Sequence, residues 1–215
     1  MNPKVFYVSL CMNTSYFEDI NTAEKAYLLG FLYADGSITQ PKGNRQMRLS
    51  CYQHIRAREV IEKLRNVIRE DDKGLCELTT RPQIAFHLSS DKICNDLISL
   101  GMLPNKSTGD YPMPDIPYKW DFIRGFFDGD GTVGKYGNNR IVSYVSHSKK
   151  LLEDIQKEYI KEGIRCTLYA EKSYWRLRTT YIKGIQQIYS NFYDDGGFCI
   201  EYKKKRFKET KGIPR

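Results

Sequence analysis

Two aspartates stand out by their position. Asp35 closes the stretch Ala26-Tyr27-Leu28-Leu29-Gly30-Phe31-Leu32-Tyr33-Ala34-Asp35-Gly36, and Asp130 closes Asp121-Phe122-Ile123-Arg124-Gly125-Phe126-Phe127-Asp128-Gly129-Asp130-Gly131. Both stretches read as apolar helices with a central glycine, so each acid falls at a helix C-terminus, where the macrodipole is negative and disfavours an anion. A carboxylate beside unpaired helix-end carbonyls makes a hard, oxygen-rich pocket suited to Mg²⁺ or another divalent cation such as Mn²⁺. A single Asp-Gly after a helix is ordinarily only a turn. Two in equivalent places change that reading. If Gly30 and Gly125 let the helices pack closely, Asp35 and Asp130 meet at a pseudo-twofold axis. Two carboxylates sharing divalent metals suit in-line displacement at phosphorus. The run Asp128-Gly129-Asp130-Gly131 is not an EF-hand fragment, because that loop needs an acid where Phe126 stands.

Little else competes for chemistry. Cysteines at 11, 51, 76, 94, 166 and 199 show no Cys-x-x-Cys pair and no regular spacing, so neither a zinc site nor a disulfide framework is signalled. Cys51, Cys76 and Cys166 lie in strand-like stretches, where a thiol is expected to act as a small buried apolar group. His54, His87 and His147 are scattered and form no metal-binding pattern. The 215 residues carry 34 Lys+Arg against 26 Asp+Glu, a formal charge of +8, and the composition is 40% hydrophobic and 28% charged. That is a globular, basic chain, which points loosely to nucleic acid. Apolar runs such as Tyr27 to Tyr33 are far shorter than the roughly 18–20 residues of a membrane span. The opening Met1-Asn2-Pro3-Lys4 lacks a signal-like apolar stretch. Cytoplasm or an organellar matrix is the expected home, with no membrane partner.

The elements that must position the two acids come as a repeat. Asp130 follows Asp35 at 130 − 35 = 95 residues. Gly74-Leu75-Cys76 answers Gly163-Ile164-Arg165-Cys166 at 163 − 74 = 89, and Leu88 and Leu177 keep that offset. Asn105-Lys106 answers Tyr202-Lys203 at 203 − 106 = 97. The chain thus reads as a duplicated unit of about 90 residues joined near the Pro-rich stretch Tyr111 to Pro117. The units are expected over residues 1–110 (core 20–108) and 111–215 (core 116–207). Within each unit the order is helix, two strands, helix, two strands, helix, an α+β fold. Asn21 with Glu24 resembles a capping box, and Pro117 suits the first turn of the second motif helix. Gly36 and Gly131 fit helix C-terminal glycines with a left-handed backbone. Met47, Leu49 and Cys51 alternate with Arg48, Ser50 and Tyr52, as Ile84, Phe86 and Leu88 do with Ala85 and His87, and Trp175 and Leu177 with Arg176 and Arg178. Arg58 to Ile68 and Leu151 to Ile160 carry helical spacing. A sheet with one helix-covered face and one basic face suggests a surface that another molecule occupies.

At these residues the chain resembles the LAGLIDADG homing endonuclease family. Leu28 to Gly36 and Ile123 to Gly131 look like its two signature motifs. Leu100-Gly101-Met102-Leu103-Pro104-Asn105-Lys106-Ser107, ahead of the Pro-rich link, is similar to the inter-repeat region of single-chain members. The resemblance covers roughly residues 20–207. It implies tandem αββαββ repeats whose motif helices form the central interface, with an antiparallel saddle straddling double-stranded DNA. It further implies metal-dependent cleavage of both strands of a long, near-palindromic site by a monomer with an internal pseudo-dimer. Metals would be held at Asp35 and Asp130, with the main-chain carbonyls of Gly36 and Gly131 as further donors. Lys106 and Lys203 match the family's basic residues near each repeat end, although Lys204 or Lys205 could serve in place of Lys203. Tyr33 replaces the acid common at the sixth motif position, which Asp128 keeps. Two alternatives remain open: a non-cleaving DNA-binding regulator and an RNA-binding maturase.

The expected DNA contacts are Arg45, Gln46, Arg48, Ser50, Tyr52, Thr79, Arg81, Lys135, Arg140, Arg165, Thr167, Arg176 and Arg178, taken as outward positions. Arg can hold guanine bidentately and Gln adenine. Around Ile141 to Ser146 the phase is ambiguous. Alignment on His54 and His147 pairs Leu49 with Val142, yet Ile141, Ser143 and Val145 also alternate.

Overall fold

The computed structural model describes residues 12–43, 45–69, 71, 73–104, 109–137 and 139–210. Lys106 and Cys11 lie outside the described residues. The first unit runs α1 (Ala23–Asp35), β1 (Gly36–Thr39), β2 (Arg48–His54), a 3-10 turn (Ile55–Ala57), α2 (Arg58–Ile68), β3 (Leu75–Leu78), β4 (Gln83–Ser89) and α3 (Asp91–Ser99). The second runs α4 (Lys119–Asp130), β5 (Gly131–Tyr136), β6 (Asn139–Ser146), α5 (Lys149–Lys161), β7 (Thr167–Glu171), β8 (Tyr174–Thr179), α6 (Ile182–Tyr193) and α7 (Glu201–Glu209). Each unit forms a four-stranded antiparallel sheet, in the orders β1-β2-β4-β3 and β5-β6-β8-β7. This is the α+β tandem architecture that the repeat implied.

Helices α1 and α4 sit at the centre because each is buried on every side along its middle, α1 by apolar residues and α4 by apolar residues together with Arg124 and Asp128. Every residue from Ala26 to Tyr33 is buried, as is every residue from Phe122 to Asp128. A helix of that kind has no face to give to water. Their crossing is so close that a Cβ placed on Gly125 would lie 1.9 Å from the Tyr27 carbonyl oxygen, and one on Gly30 would lie 2.0 Å from that of Phe122. The same offset relates the two contacts, since 30 + 95 = 125 and 27 + 95 = 122. Only glycine permits this approach of backbone to backbone.

Each central helix passes directly into a strand. The Gly36 amide donates to the Leu32 carbonyl and the Gly131 amide to that of Phe127. The expectation of a left-handed backbone at these glycines is not met: Gly36 has φ −76° and ψ 152°, and Gly131 has φ −82° and ψ 153°, both extended. Their small size serves crowding instead, because a Cβ on Gly131 would lie 2.1 Å from the Phe127 ring and one on Gly36 2.6 Å from the Leu32 carbonyl oxygen. Thr22, not Asn21, caps α1 by accepting from the Lys25 amide at 3.2 Å. Pro117 lies two residues ahead of α4, whose N-cap is Tyr118.

Strand register fixes which side chains share a face. Gly36 pairs with Cys51 and Cys51 with Phe86, while Gly131 pairs with Tyr144 and Tyr144 with Leu177. Leu177 therefore matches Phe86, an offset of 177 − 86 = 91, and not Leu88. Gly74 and Gly163 are not equivalents either: Gly74 directly precedes β3, whereas Gly163 follows α5 by two residues. The phase of β6 is settled by pairing, with Val142 and Tyr144 on the core side and Ile141, Ser143 and Val145 on the open side. Cys51 is buried as expected, but Cys76 is exposed and Cys166 only half-buried.

Gly125→Ala is expected to lower unfolding free energy by about 3 kcal/mol or more, because helix backbones must separate to admit a methyl group. Gly134→Ala, whose added Cβ would meet nothing within 4 Å, is expected to be near neutral. Urea denaturation of the two variants checks this.

Candidate metal centre and nucleic-acid interface

The glycine crossing brings the two helix ends together. A Cβ on Gly129 would lie 2.2 Å from the Ala34 methyl and 2.6 Å from Asp35 Oδ2. Asp35 thus stands against the residue that precedes Asp130, and both carboxylates are half-buried. Gln53 Nε2 donates to Asp35 Oδ2 at 2.8 Å, and Gln53 Oε1 accepts from the His54 amide at 2.8 Å, which locks the orientation of the amide. Gln53 was missed by sequence reasoning, yet it carried a signal: it continues the core-side phase of Leu49 and Cys51 with a polar side chain. Its counterpart in the second sheet is Ser146, whose Oγ accepts from the Ser148 amide at 3.1 Å. Ser146 shares with Asp130, Tyr33, Tyr111 and Arg176 an open cleft of about 590 Å³.

Lys203 is the cation of this centre. It is 7% exposed, and its Nζ donates to the carbonyls of Phe127 at 2.7 Å, Gly131 at 2.9 Å and Gly129 at 3.2 Å. Those are carbonyls of the last turn of α4 and the residue after it, where a cation is favoured, and the Phe127 carbonyl accepts from the Gly131 amide as well. Burial pushes the Lys203 ammonium below its ordinary pKa, while Asp128, Asp35 and Asp130 act in the opposite direction. One ammonium thus sits in the field of both motif acids. Within the run Lys203-Lys204-Lys205-Arg206, Lys204 lies over the Tyr193 ring at 5.5 Å and Lys205 pairs with Glu209 at 3.9 Å, so Lys203 is the member that faces the acids. Lys106 lies outside the described residues.

Asp128 is fully buried. Its Oδ2 accepts from Tyr27 Oη at 2.7 Å and from the Ile200 amide at 2.8 Å. Burial raises its carboxyl to about 6, against the pull of Lys203 and these two donors. Its counterpart Tyr33 donates to the Leu100 carbonyl at 2.5 Å.

The donor set fits a hard divalent cation in part. Among the described residues no group of three or more His, Cys, Asp or Glu side chains converges. Mg²⁺ commonly takes only one or two protein carboxylates and completes its shell with water and substrate phosphate, and Asp35 and Asp130 supply such oxygens at adjoining helix ends. The Gly131 carbonyl, expected as a further donor, already accepts from Lys203.

The two sheets each leave one face open. On the first, Arg48, Ser50, Tyr52 and His54 alternate with the core residues Leu49 and Cys51. Arg48 and Tyr52 are exposed as expected, but Ser50 is 8% exposed and hydrogen-bonded to His87 Nδ1 at 3.0 Å. Burial and the nearby Arg48 hold His87 below its ordinary pKa. Arg45 and Gln46 are exposed on the β1–β2 connection, and Thr79 and Arg81 on the β3–β4 turn, rather than on strands. On the second sheet Thr167, Arg176 and Arg178 share the open face with Ser143 and Val145. Arg176 is tied to Glu171 and reaches Ser143 Oγ at 3.5 Å. Lys135 and Arg140 pair with each other in the phase of Val133 and Val142, so they lie on the core-side phase beyond the core, not on the open face. Arg165 is exposed in the loop before β7.

The LAGLIDADG-like domain model matches residues 118–192, and the WhiA LAGLIDADG-like domain model matches residues 24–72. The fold is similar to that of the LAGLIDADG meganuclease I-AabMI bound to uncleaved DNA, at 11% identity and TM-score 0.58 over 86% of this chain and 87% of that one. I-CpaMI bound to uncleaved DNA aligns at 13% identity and TM-score 0.59, over 86% and 89% of the two chains. I-SmaMI bound to its DNA target with calcium ions aligns at 12% identity and TM-score 0.55, over 82% and 86%. Comparison with curated proteins gives no match. Each half of the chain thus carries a match to a LAGLIDADG-like domain model, and the fold is that of the LAGLIDADG meganucleases. Among the described residues no helix is long and apolar enough to cross a membrane.

Lys203→Met is expected to cost about 3 kcal/mol or more, since it removes three hydrogen bonds from carbonyls at the end of α4 and leaves the buried Asp128 with Arg124 as its weaker cationic neighbour. Lys204→Met is expected to stay within about 0.5 kcal/mol of the parent. Thermal and urea denaturation of both variants measure the difference.

Proposed function

We propose that the chain is a site-specific, Mg²⁺-dependent endonuclease that acts as a monomer and cuts both strands of a long, near-palindromic duplex DNA site. The observation that carries this reading is the contact of Asp35 with Gly129, the residue before Asp130, at two helix ends joined through backbone contact at Gly30 and Gly125. A divalent cation held there would polarise a phosphodiester and supply a nucleophilic water at neutral pH. The chain's own residues do the rest. Asp35 and Asp130 provide the anionic oxygens, and Gln53 orients the Asp35 carboxylate. Lys203 holds the last turn of α4 so that Asp130 keeps its place. Arg48, Arg176, Arg178 and the exposed loop residues Arg45, Arg81 and Arg165 meet phosphates and base edges along the two open faces. Retention of an acid at both motif ends speaks against a non-cleaving regulator.

The test is cleavage of a randomised duplex library carried on a plasmid, followed by kinetics on a recovered target. Asp35→Asn and Asp130→Asn are each expected to reduce double-strand cutting by on the order of 10²-fold or more, with duplex affinity nearly unchanged. Chelation of the metal should abolish cutting in the parent. Cutting of both strands by the double Asn variant would sink the mechanism. Affinity should fall with salt, each neutralised phosphate adding about 0.9 to the magnitude of the log–log slope, and Arg48→Gln should lower that magnitude by about one such step. A salt-independent affinity would remove the open faces from the account.

A further inference from the structure

The sixth motif residue differs between the halves, Tyr33 in the first and Asp128 in the second, and the structure gives that difference a pattern. The pseudo-twofold offset that carries Tyr33 to Asp128 also carries Tyr27 to Phe122, since 33 + 95 = 128 and 27 + 95 = 122. Asp128 on α4 accepts from the Tyr27 hydroxyl on α1. In the mirrored place, Tyr33 on α1 packs edge-to-face on the Phe122 ring of α4, with centroids 5.0 Å apart. A polar pair in one half is thus replaced by an aromatic pair in the other.

The same two side chains also reach the segment that closes their own repeat. Asp128 accepts from the amide of Ile200, the N-cap residue of α7, the helix that bears Lys203. Tyr33 donates to the carbonyl of Leu100, the C-cap residue of α3, and a Cβ on the neighbouring Gly101 would lie 2.7 Å from its hydroxyl. Each sixth residue stands two places before a motif acid. Each ties the last turn of its helix to the end of its unit, once by accepting and once by donating.

We propose that Tyr33 and Asp128 are positioning residues, each of which fixes one motif acid, Asp35 or Asp130, for one strand of the duplex. Tyr33 on this account is not a degenerate acid but the donor that a carbonyl at Leu100 requires. This rests on the endonuclease reading above and adds to it that, within the shared centre, each acid serves one scissile bond.

The experiment uses the full chain and a duplex recovered by cleavage selection, carrying a different 5′ label on each strand. Tyr33→Phe and Tyr27→Phe each delete one hydroxyl and leave the ring packing in place. Each is expected to slow single-turnover cutting of one strand by about 10- to 100-fold, the two variants affecting opposite strands, with duplex affinity close to the parent and the melting temperature lowered only by the few degrees that one lost buried hydrogen bond costs. A merely structural role would slow both strands alike. Tyr33→Asp, which makes the two motifs match, is expected to lose cutting of the strand that Tyr33→Phe slows, because it faces a carbonyl and an aromatic ring. Equal slowing of both strands, unchanged rates in both Phe variants, or parental activity in Tyr33→Asp would overturn the proposal. A parent chain that cuts no duplex from the library would overturn the endonuclease reading itself, and this assignment with it.

Discussion

The structure depends on one contact, the crossing of α1 and α4 with backbone against backbone at Gly30 and Gly125. Two helices that are buried on every side pack against each other and the layers around them, and the absence of side chains at the crossing sets how near they come. That separation decides how far apart two helix ends lie, and so whether Asp35 and Asp130 belong to one centre or to two. The direct passage of each helix into a strand transmits the same constraint outward, since β1 and β5 begin at the residues that follow the acids.

Electrostatics at this point is unusual and is resolved locally. Two carboxylates at the negative ends of helices would repel both the helix ends and each other. Lys203 answers this by binding three carbonyls at the end of α4, within the field of Asp35, Asp128 and Asp130. Asp128, raised to about 6 by burial, accepts two hydrogen bonds that tie the central helices to each other and to α7. The two motif acids stay half-buried and open to a cation, while Asp128 Oδ1 is buried with no hydrogen-bond partner among the described residues.

Much of this was legible in the sequence for identifiable reasons. Period-2 alternation located β2, β4 and β8, because one face of each sheet is buried and the other is not. The paired motifs placed the acids, because a duplicated unit repeats its functional geometry. What the sequence concealed depended on crowding and on pairing partners. Gly36 and Gly131 looked like left-handed caps, yet they are extended and small because Leu32 and Phe127 press on them. Lys135 and Arg140 looked outward, yet register places them in the core-side phase at the strand tips. The phase of β6 was hidden because its open face carries the apolar residues Ile141 and Val145, which only the ladder to β8 could distinguish from core. Gln53 was overlooked because a polar residue at a core-side position gains meaning only when its target, Asp35, is seen beside it.

The central claim is that Asp35 and Asp130 form a single cation-binding centre where the duplex is engaged. Anomalous diffraction from crystals of the chain with a non-cleavable duplex and Mn²⁺ tests it most directly. The account predicts metal peaks bonded to the Asp35 and Asp130 carboxylates and to DNA phosphate oxygens between the two helix ends. Metal peaks elsewhere, with both carboxylates unliganded, would contradict it.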